Sequence, residues 1–235
     1  MNVTRRIEAL AARYALAPGT GGALERLLEL LACDPTAPTA VRDPASAVDT
    51  HIADALVALE LDEVRPARRV ADLGAGAGFP GLVLAAALPQ AAVALVEANG
   101  RKCRFLARAA ETMGLANVEV VDARAESWPE GVASRDLVTA RAVAPLAVLV
   151  EYAAPLLETG GALVAWKGRR DEAEERDGAA AAAATGLEGR DVRPVQPWNG
   201  AEHLHLHVYV KVASTPNRFP RRPGMASKRP LRASA

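Results

Sequence analysis

The stretch that decides the fold is Val70-Ala71-Asp72-Leu73-Gly74-Ala75-Gly76-Ala77-Gly78-Phe79-Pro80-Gly81. An apolar run ends at an acidic residue, passes into a glycine-dense turn and continues as a helical pattern over residues 82–88. Glycines at this spacing let the backbone turn tightly and let a ligand lie against main-chain N–H groups at the start of a helix. The stretch therefore predicts a nucleotide-like cofactor pocket at the first strand–helix turn of an α/β sheet.

Two cofactor classes fit the glycine spacing. Residues 76–81 satisfy G-x-G-x-x-G, the fingerprint of dinucleotide-binding folds. The overlapping pattern, in which Asp72 is followed by alternating glycines from Gly74 to Gly78, is typical of enzymes that use S-adenosylmethionine (SAM). A carboxylate at the strand end would hold the ammonium group of SAM, directly or through water, whereas it would repel a pyrophosphate. Asp72 and Pro80 therefore favour SAM over a dinucleotide, and an ordinary strand–helix loop is the third interpretation.

Beyond this loop, strand-like and helical patterns alternate, which predicts right-handed βαβ crossovers and a mostly parallel sheet. Strands are expected at residues 69–73, 92–97, 118–121, 137–140 and 162–167, and helices near residues 81–88, 101–113, 145–157 and 171–184. Two last strands, at residues 187–195 and 203–211, form an expected antiparallel pair that closes the sheet. The predicted fold class is α/β, a Rossmann-like SAM-dependent methyltransferase fold with a helical N-terminal extension.

Three regions are expected along the chain. Residues 1–66 form a helical N-terminal extension that packs on the domain after it. Its helical patterns lie near residues 3–16, 23–33 and 45–59. Residues 67–212 form the SAM-dependent methyltransferase domain, and residues 213–235 form a basic C-terminal tail.

Charge is unevenly distributed between the tail and the rest of the chain. The chain has 28 basic and 28 acidic residues, so its formal net charge is zero. The tail has no acid and six basic residues: Arg218, Arg221, Arg222, Lys228, Arg229 and Arg232. The remaining residues therefore carry an excess of six acids. We expect the tail to be either a cationic arm that binds RNA phosphates, whose removal leaves SAM affinity intact, or a disordered solvating segment.

Composition indicates a cytoplasmic protein. Cys33 and Cys103 fall in unrelated helical patterns without metal-ligand spacing, so neither a disulfide scaffold nor a metal site is expected. The alternate histidines His203, His205 and His207 are interpreted as the polar face of a strand, because no acid or cysteine completes a metal site. The start of the chain lacks the apolar core of a signal peptide, and no apolar stretch approaches the ~20 residues that span a bilayer. We therefore expect no membrane partner.

Candidate cofactor-binding residues follow the second and third strands. Glu97 ends the second strand, 23 residues after Gly74, where an acid accepts hydrogen bonds from the ribose diol of SAM or NAD. The alternative is that Glu97 stabilises the start of the next helix. After the third strand, a backbone N–H and a carboxylate would bind the adenine ring edge, with Asp122 and Glu126 competing for the carboxylate role.

Two cations end the fourth and fifth strands and are the candidate catalytic residues. Arg141 and Lys167 are expected where substrate meets cofactor. A cation at such a site costs free energy unless it pairs with an acid or binds a ligand. Arg141 would hold the cofactor carboxylate, contact an RNA phosphate or pair with an acid, and Lys167 has a similar choice of roles. His51 and Asp54, one helical turn apart, would either lie at the cleft or form a surface pair.

The motifs that the chain lacks narrow its chemistry. The Asn/Asp-Pro-Pro-aromatic motif, common for methylation of exocyclic amines, is absent after the fourth strand, and Cys103 lies in the wrong place to attack pyrimidine C5. Guanine N7 has a free lone pair, so its methylation needs no base and depends mainly on positioning. The missing acid–base dyad therefore favours a ring nitrogen as the methyl acceptor.

Several segments are specific in combination. They are Arg42-Asp43-Pro44, residues 51–56, residues 72–81, Leu95-Val96-Glu97, Arg124-Ala125-Glu126, Arg141-Ala142-Val143-Ala144 and Trp166-Lys167-Gly168. Through them the chain resembles the bacterial small-subunit ribosomal RNA guanine-N7 methyltransferases, also called the glucose-inhibited division protein B family. The resemblance covers roughly residues 40–211, and the segment at residues 219–224 of the tail also fits it.

The resemblance implies SAM-dependent methylation at N7 of one guanine of 16S rRNA, G527 in the 530 loop. It implies cofactor contacts at Gly74, Phe79, Ala125, Glu126 and Arg141, to which the spacing of the residues adds Gly76 and Glu97. The expected partner is 16S rRNA, in the small subunit or an assembly intermediate, and the expected state is a monomer. The alternatives are a SAM-dependent methyltransferase that acts on a protein or a small molecule, and a non-catalytic binding module.

Overall fold

The molecule is built on a seven-stranded sheet, in a computed structural model that describes residues 2–233. Met1, Ser234 and Ala235, the outermost positions of the expected extension and tail, lie outside the described residues. The strands are β1 (Arg69–Leu73), β2 (Ala92–Glu97), β3 (Val118–Asp122), β4 (Arg135–Arg141), β5 (Leu157–Lys167), β6 (Leu187–Val195) and β7 (Leu204–Lys211). Their order in the sheet is β3-β2-β1-β4-β5-β7-β6.

The sheet is parallel from β3 through β5, and β7 then runs antiparallel to both β5 and β6. The predicted α/β fold, a mostly parallel sheet closed by an antiparallel strand, is confirmed. In β1, Val70 and Ala71 are fully buried and Leu73 is almost so, as expected of a parallel strand covered on both faces. The chain runs from β1 outward to β2 and β3 on one side, and then returns to β4 and β5 on the other side of β1. In open α/β sheets a ligand crevice forms where the strand order reverses in this way, at the carboxyl ends of the strands.

The helices surround this sheet. They are α1 (Val3–Arg13), α2 (Thr20–Cys33), α3 (Pro44–Ala47), α4 (Asp54–Leu56), α5 (Gly81–Ala87), α6 (Gly100–Met113), α7 (Leu146–Ala153), α8 (Glu172–Thr185) and α9 (Met225–Lys228). Short 3-10 turns lie at Val57–Glu60, Ala125–Ser127 and Pro129–Gly131. Within residues 2–233, no helix is both long and apolar enough to cross a membrane.

Two apolar layers cover the sheet. The N-terminal helices pack with α5 and α6 in one layer, and α7 and α8 form the other. The apolar face of α2 is fully buried at Leu24, Leu27, Leu28 and Leu31, in agreement with its helical spacing. Arg26 also donates to two carbonyls at the end of α6, so the N-terminal helices are tied to the sheet domain by polar contacts as well.

The third N-terminal helical pattern, expected near residues 45–59, is not one α-helix. A π-helical turn at Val48–Ala53 separates α3 from α4. Backbone carbonyls of this segment accept hydrogen bonds from distant side chains: Thr50 O from Arg141, and Asp54 O from the Trp166 indole. The helix is therefore widened near the carbonyls that accept hydrogen bonds from side chains of β4 and β5. The periodicity of the sequence does not reveal this irregular turn.

The helix expected at residues 145–157 is shorter than its apolar pattern. It ends at Ala153, and β5 begins at Leu157, because Pro155 has no N–H with which to continue the helix. The expectation of a polar strand face at His203, His205 and His207 also needs correction. His207 and Tyr209, which lie on the same face of β7, are both buried, because α8 packs over that face.

The tail packs onto the body of the molecule. Arg221 forms two hydrogen bonds with Glu151 of α7, at 2.7 and 2.5 Å, and Ser227 of α9 lies 3.0 Å from the Tyr152 hydroxyl. Phe219 and Ala226 are buried. The described part of the tail, residues 213–233, is therefore packed against the protein, in contrast to the interpretation as a disordered segment, whereas RNA binding by its cations stays a prediction.

Candidate functional site

The loop between β1 and α5 holds three glycines in the left-handed region. Gly74, Gly76 and Gly78 have φ values of 64°, 58° and 95°, which residues with a Cβ rarely adopt. A Cβ on Gly74 would lie 2.8 Å from Val143 Cγ2, so this glycine also allows the loop after β4 to approach closely. The N–H groups of Gly74 and Ala75 donate to Val96 O at the end of β2, which fixes the loop against the sheet.

Asp72 lies beneath this loop and does not face a cavity. Its side chain is fully buried and accepts hydrogen bonds from the Gly81 N–H (3.0 Å) and the Thr139 hydroxyl (2.9 Å). Burial raises the pKa of Asp72 to about 7, while the two hydrogen bonds act in the opposite direction. Asp72 thus joins the start of α5 to β4 and lines neither of the two cavities described below, and its expected contact with a cofactor ammonium, direct or through water, stays a prediction.

A cavity of about 210 Å³, called the glycine-loop cavity below, opens at the carboxyl ends of β1, β2 and β3. It is lined by Leu73, Gly74, Val96, Glu97, Ala98, Ala123, Arg124, Ala125, Glu126, Val143, Ala144, Tyr152 and Ser227. Four predicted cofactor-binding residues therefore come together here: Gly74, Glu97, Ala125 and Glu126. Between the two carboxylates that competed for the adenine role, Glu126 lines the cavity and Asp122 does not.

Glu97 is held in one orientation by the backbone. Its carboxylate accepts from the N–H of Gly76 at 3.1 Å and from the N–H of Asn99 at 2.9 Å, and Lys102 Nζ lies 3.9 Å away. Glu97 therefore also contributes to the alternative role, stabilising the start of α6, where the Asn99 side chain caps the helix by accepting from the N–H of Arg101. Gly76 contributes through its N–H to Glu97 and does not line the cavity itself.

A second cavity, of about 420 Å³, lies beyond the loop that follows β4 and is called the Arg141 cavity below. Its lining residues are Asp54, Arg141, Ala142, Val143, Ala144, Trp166, Lys167, Gly168 and Leu204. Val143 and Ala144 line both cavities. The two cavities are therefore neighbours that share this short segment.

Both predicted catalytic cations line the Arg141 cavity, and both are paired. Arg141 donates to Asp54 at 2.6 Å and to Thr50 O at 2.9 Å. Lys167 Nζ lies 2.5 Å from Glu174 and 3.4 Å from Ala144 O. Burial raises the pKa of Asp54, and the Arg141 guanidinium partly offsets this effect. The paired cations are thus fixed in position at the cavity wall.

Phe79, an expected cofactor contact, is among the lining residues of neither cavity. Its ring stacks on His51 with centroids 4.3 Å apart, and the Arg141 guanidinium carbon lies 5.5 Å from the centroid of the Phe79 ring. Phe79 is buried, so it supports Arg141 and His51 from within the protein. A direct cofactor contact of Phe79 stays a prediction.

His51 is a neutral imidazole at neutral pH. Burial and the nearby Arg141 charge lower its pKa to about 4. Its Nδ1 lies 3.0 Å from Thr50 O, and because a carbonyl only accepts, Nδ1 carries the proton. Its Nε2 then accepts from the Thr39 hydroxyl at 3.1 Å. His51 is therefore part of the buried support of Arg141.

Among the lining residues to which the sequence analysis gave no role are Val143, which both cavities share, Tyr152 on α7 and Ser227 on α9. Only Val143 had a signal, since it lies in the specific segment that follows β4. Tyr152 and Ser227 are brought to the cavity by packing of elements distant in sequence. No cluster of three or more His, Cys, Asp or Glu residues suited to a metal ion occurs among residues 2–233.

Comparisons with known proteins agree with this geometry. Residues 28–199 match the family model GidB, described as rRNA small subunit methyltransferase G. The ribosomal RNA small subunit methyltransferase G of Rubrobacter xylanophilus is 44% identical over 197 residues, which cover 81% of this chain and 76% of the relative. The protein of the same name from Chloroflexus aggregans is 43% identical over 198 residues, 82% of each chain.

The fold is also similar to that of a solved SAM-dependent O-methyltransferase from Thermotoga maritima. The TM-score is 0.55 at 17% identity, and the match covers 76% of this chain and 73% of that chain. This likeness bears on the fold alone. The family model and the two relatives, which each span most of the chain, establish more: the chain belongs to the GidB family of rRNA small subunit methyltransferases.

Proposed function

We propose that this protein transfers the methyl group of SAM to N7 of a guanine in 16S rRNA, G527 of the 530 loop. The observation that carries the proposal is the wall of Val143 and Ala144 shared by the two cavities. A cofactor in the glycine-loop cavity and a base in the Arg141 cavity would lie next to each other and meet beside that segment. Methyl transfer requires this adjacency of donor and acceptor.

The residues of the glycine-loop cavity fit SAM better than a dinucleotide. Glu97 and Glu126 supply acceptors for the ribose hydroxyls and the adenine amine. The loop N–H groups already donate to protein acceptors at Gly74, Ala75, Gly76, Gly78 and Gly81. A pyrophosphate would therefore find few free donors in this loop and would lie close to the carboxylate of Glu97.

The residues of the Arg141 cavity suit a purine whose ring nitrogen becomes methylated. When bound, SAM supplies an electrophilic methyl group, which guanine N7 accepts without losing a proton. The product base carries a positive charge, and the pairing of Arg141 with Asp54 and of Lys167 with Glu174 keeps the wall near neutrality. Trp166 adds an aromatic surface to the cavity, of the kind on which unstacked RNA bases lie.

The expected partner is 16S rRNA, in the small subunit or an assembly intermediate, and we propose that the protein acts as a cytoplasmic monomer. Exposed cations of the tail, Arg218, Arg222, Lys228, Arg229 and Arg232, supply contacts to RNA phosphates. The expected regions, residues 1–66, 67–212 and 213–235, remain our division of the chain. Free thiols at Cys33 and Cys103 suit a reducing compartment.

A labelling experiment tests the reaction. Purified protein is incubated with SAM carrying a labelled methyl group and with 16S rRNA or small subunits that lack the modification. We expect label in RNA, and borohydride reduction followed by aniline should cleave the product at a single guanine of the 530 loop. Label in a ribosomal protein, or in RNA that aniline does not cleave, would instead favour the alternative of another methyl acceptor.

A further inference from the structure

A buried ion pair anchors the tail to the sheet domain. Arg221 contacts both carboxylate oxygens of Glu151, and Glu151 is only 1% exposed. A carboxylate so buried is costly without a cation, so the pair holds the tail against α7. Lys211, buried at the end of β7, donates to Ala154 O and Thr215 and fixes the start of the tail in the same region.

Beyond this anchor, the tail touches the glycine-loop cavity at two points. The N–H of Gly224 donates to Glu126 Oε1 at 2.9 Å. The Ser227 Oγ lies 3.0 Å from the Tyr152 hydroxyl, and both side chains line the cavity together with Glu126. The tail therefore supplies part of the cavity wall and one hydrogen bond that orients a cavity carboxylate.

We propose that the tail is a structural part of the adenosine site, in which Gly224 and Ser227 position Glu126 and Tyr152 for recognition of the adenine ring. The proposal rests on the proposed function, because it takes the glycine-loop cavity as the adenosine site. With Oε1 of Glu126 bound to Gly224, Oε2 has no hydrogen-bond partner among residues 2–233 and is available to the exocyclic amine of adenine. The tail does not contact the adenine ring itself in this proposal. It orients Glu126, which would accept a hydrogen bond from the ring.

This role differs from the expectation that removal of a cationic arm leaves SAM affinity intact. Of the six tail cations, Arg221 is engaged with Glu151, whereas Arg222, Lys228 and Arg229 are exposed. One side of the tail thus lines the glycine-loop cavity, and the other side presents exposed cations that can bind RNA. Loss of the anchor should weaken SAM binding even when no RNA is present.

Calorimetry without RNA tests this proposal on the full chain. Arg221→Gln breaks the anchor and should weaken SAM binding about tenfold, the effect of losing one or two hydrogen bonds in the cavity wall. Arg221→Lys, which keeps the charge but loses the two-point contact, should recover part of the affinity. Arg218→Gln is the matched control, since Arg218 lies in the same tail over the neighbouring Phe219 ring and should bind SAM as the unchanged chain does.

A second readout measures base recognition. The unchanged chain should prefer SAM to an analogue with hypoxanthine, which has an oxygen in place of the exocyclic amine of adenine. Glu126→Gln and Arg221→Gln should both reduce that preference, whereas a variant that is merely loosened would lose affinity for both ligands equally. Circular dichroism confirms that each variant is folded before its affinity is compared.

Hydrogen exchange on the unchanged chain needs no substitution. SAM should slow amide exchange across residues 222–229 as well as in the glycine loop. If the unchanged chain fails to bind SAM, the proposed function is contradicted, and so is the proposed role of the tail. If the chain binds SAM but residues 222–229 exchange as before, and Arg221→Gln binds as tightly as the unchanged chain, the tail proposal is overturned while the proposed function stands.

Discussion

Arg141 is the residue around which the second cavity is organised. Its guanidinium bonds to Asp54 and Thr50, lies over Phe79 and lines the cavity wall. Spacing along the chain could predict that a cation ends β4, but its acid partner lies 87 residues away and the sequence offered a choice of roles. The structure assigns the pairing with Asp54, one of the roles left open.

Arg141→Ala should destabilise the protein as well as stop methylation. The substitution leaves Asp54 buried without its cation, and we expect the free energy of unfolding to fall by about 3 kcal/mol. Adding Asp54→Asn should restore part of the stability but none of the activity. Urea unfolding measures the first effect and methyl transfer to rRNA the second. Arg193→Ala, at an exposed ion pair, is the control and should change the stability by less than about 0.5 kcal/mol.

His51 should make stability depend on pH in the acid range. In the unfolded chain its imidazole binds a proton below about 6.5, whereas in the folded protein it does so only below about 4. Between these values the unfolded state binds more protons, so His51 lowers the free energy of unfolding as the pH falls from about 6.5 to about 4. Urea midpoints measured across this range should decline less steeply for His51→Gln than for the unchanged chain.

The control for this pH series is His203→Asn. His203 is exposed, and asparagine tolerates its φ of 60°. The control should follow the pH dependence of the unchanged chain. Equal slopes for His51→Gln and the unchanged chain would contradict the assignment of a neutral, buried His51.

Residue roles could be predicted where position along a strand determines them. Glu97 and Arg141 end strands and Glu126 follows one, and parallel strands bring such residues to one edge of the sheet. The hydrogen bonds of Asp72 could not be predicted in this way, since its place in β1 does not reveal that its side chain faces Thr139 and the start of α5. That direction depends on the neighbouring strand, which no local pattern specifies.

At the scale of elements, the junction of the glycine loop with α5 is closely packed. A Cβ on Gly81 would lie 2.3 Å from Leu95 Cδ2 and 2.7 Å from Asp72 Oδ2. Gly81→Ala should therefore displace α5 from β1 and lower the free energy of unfolding by about 1–3 kcal/mol. SAM affinity should fall as well, because the loop changes shape.

Gly22→Ala is the matched control for this substitution. Gly22 lies in α2, and its Cβ would make an ordinary contact with Arg26 at 3.6 Å. Alanine is the better helix former, so the control should gain about 0.5–1 kcal/mol of stability. Urea unfolding of both variants checks the pair, and a Gly81→Ala protein as stable as the unchanged chain would contradict the packing described at this junction.

Element boundaries were predictable where polarity changes sharply. β1 and β2 begin and end at the expected residues, because each apolar run is bounded by charged residues, by glycine or by Pro89-Gln90. The tail was not predictable in the same way. Its charge is visible in the sequence, but Glu151 lies within an otherwise apolar helix pattern, and nothing local indicates that it becomes buried with Arg221 as its partner.

At the scale of the whole molecule, the neutral chain divides its charge between an acidic body and a basic tail. With Arg221 bound to Glu151, the outward cations of the tail remain for RNA. Changing Arg222, Lys228 and Arg229 together to glutamine should reduce the slope of log affinity against log salt by about 2 for a single-stranded 530-loop RNA. Fluorescence anisotropy across a salt series measures this slope, and an unchanged slope would remove the tail from the RNA interface.

The fold as a whole follows from alternation of strands and helices, and the family follows from segments that the fold brings to one edge of the sheet. Alternation could not show that residues 187–195 form the outer edge with β7 placed inside, since strand order depends on packing. The sharing of Val143 and Ala144 by the two cavities likewise depends on packing between elements distant in sequence.

The measurement that tests the central proposal most directly is mass mapping of 16S rRNA from a strain that lacks the gene for this chain. We expect N7-methylguanosine to be absent at G527, to return when the unchanged gene is supplied, and to stay absent with the Arg141→Ala gene. N7-methylguanosine that persists at G527 in the deletion strain would contradict the proposed reaction.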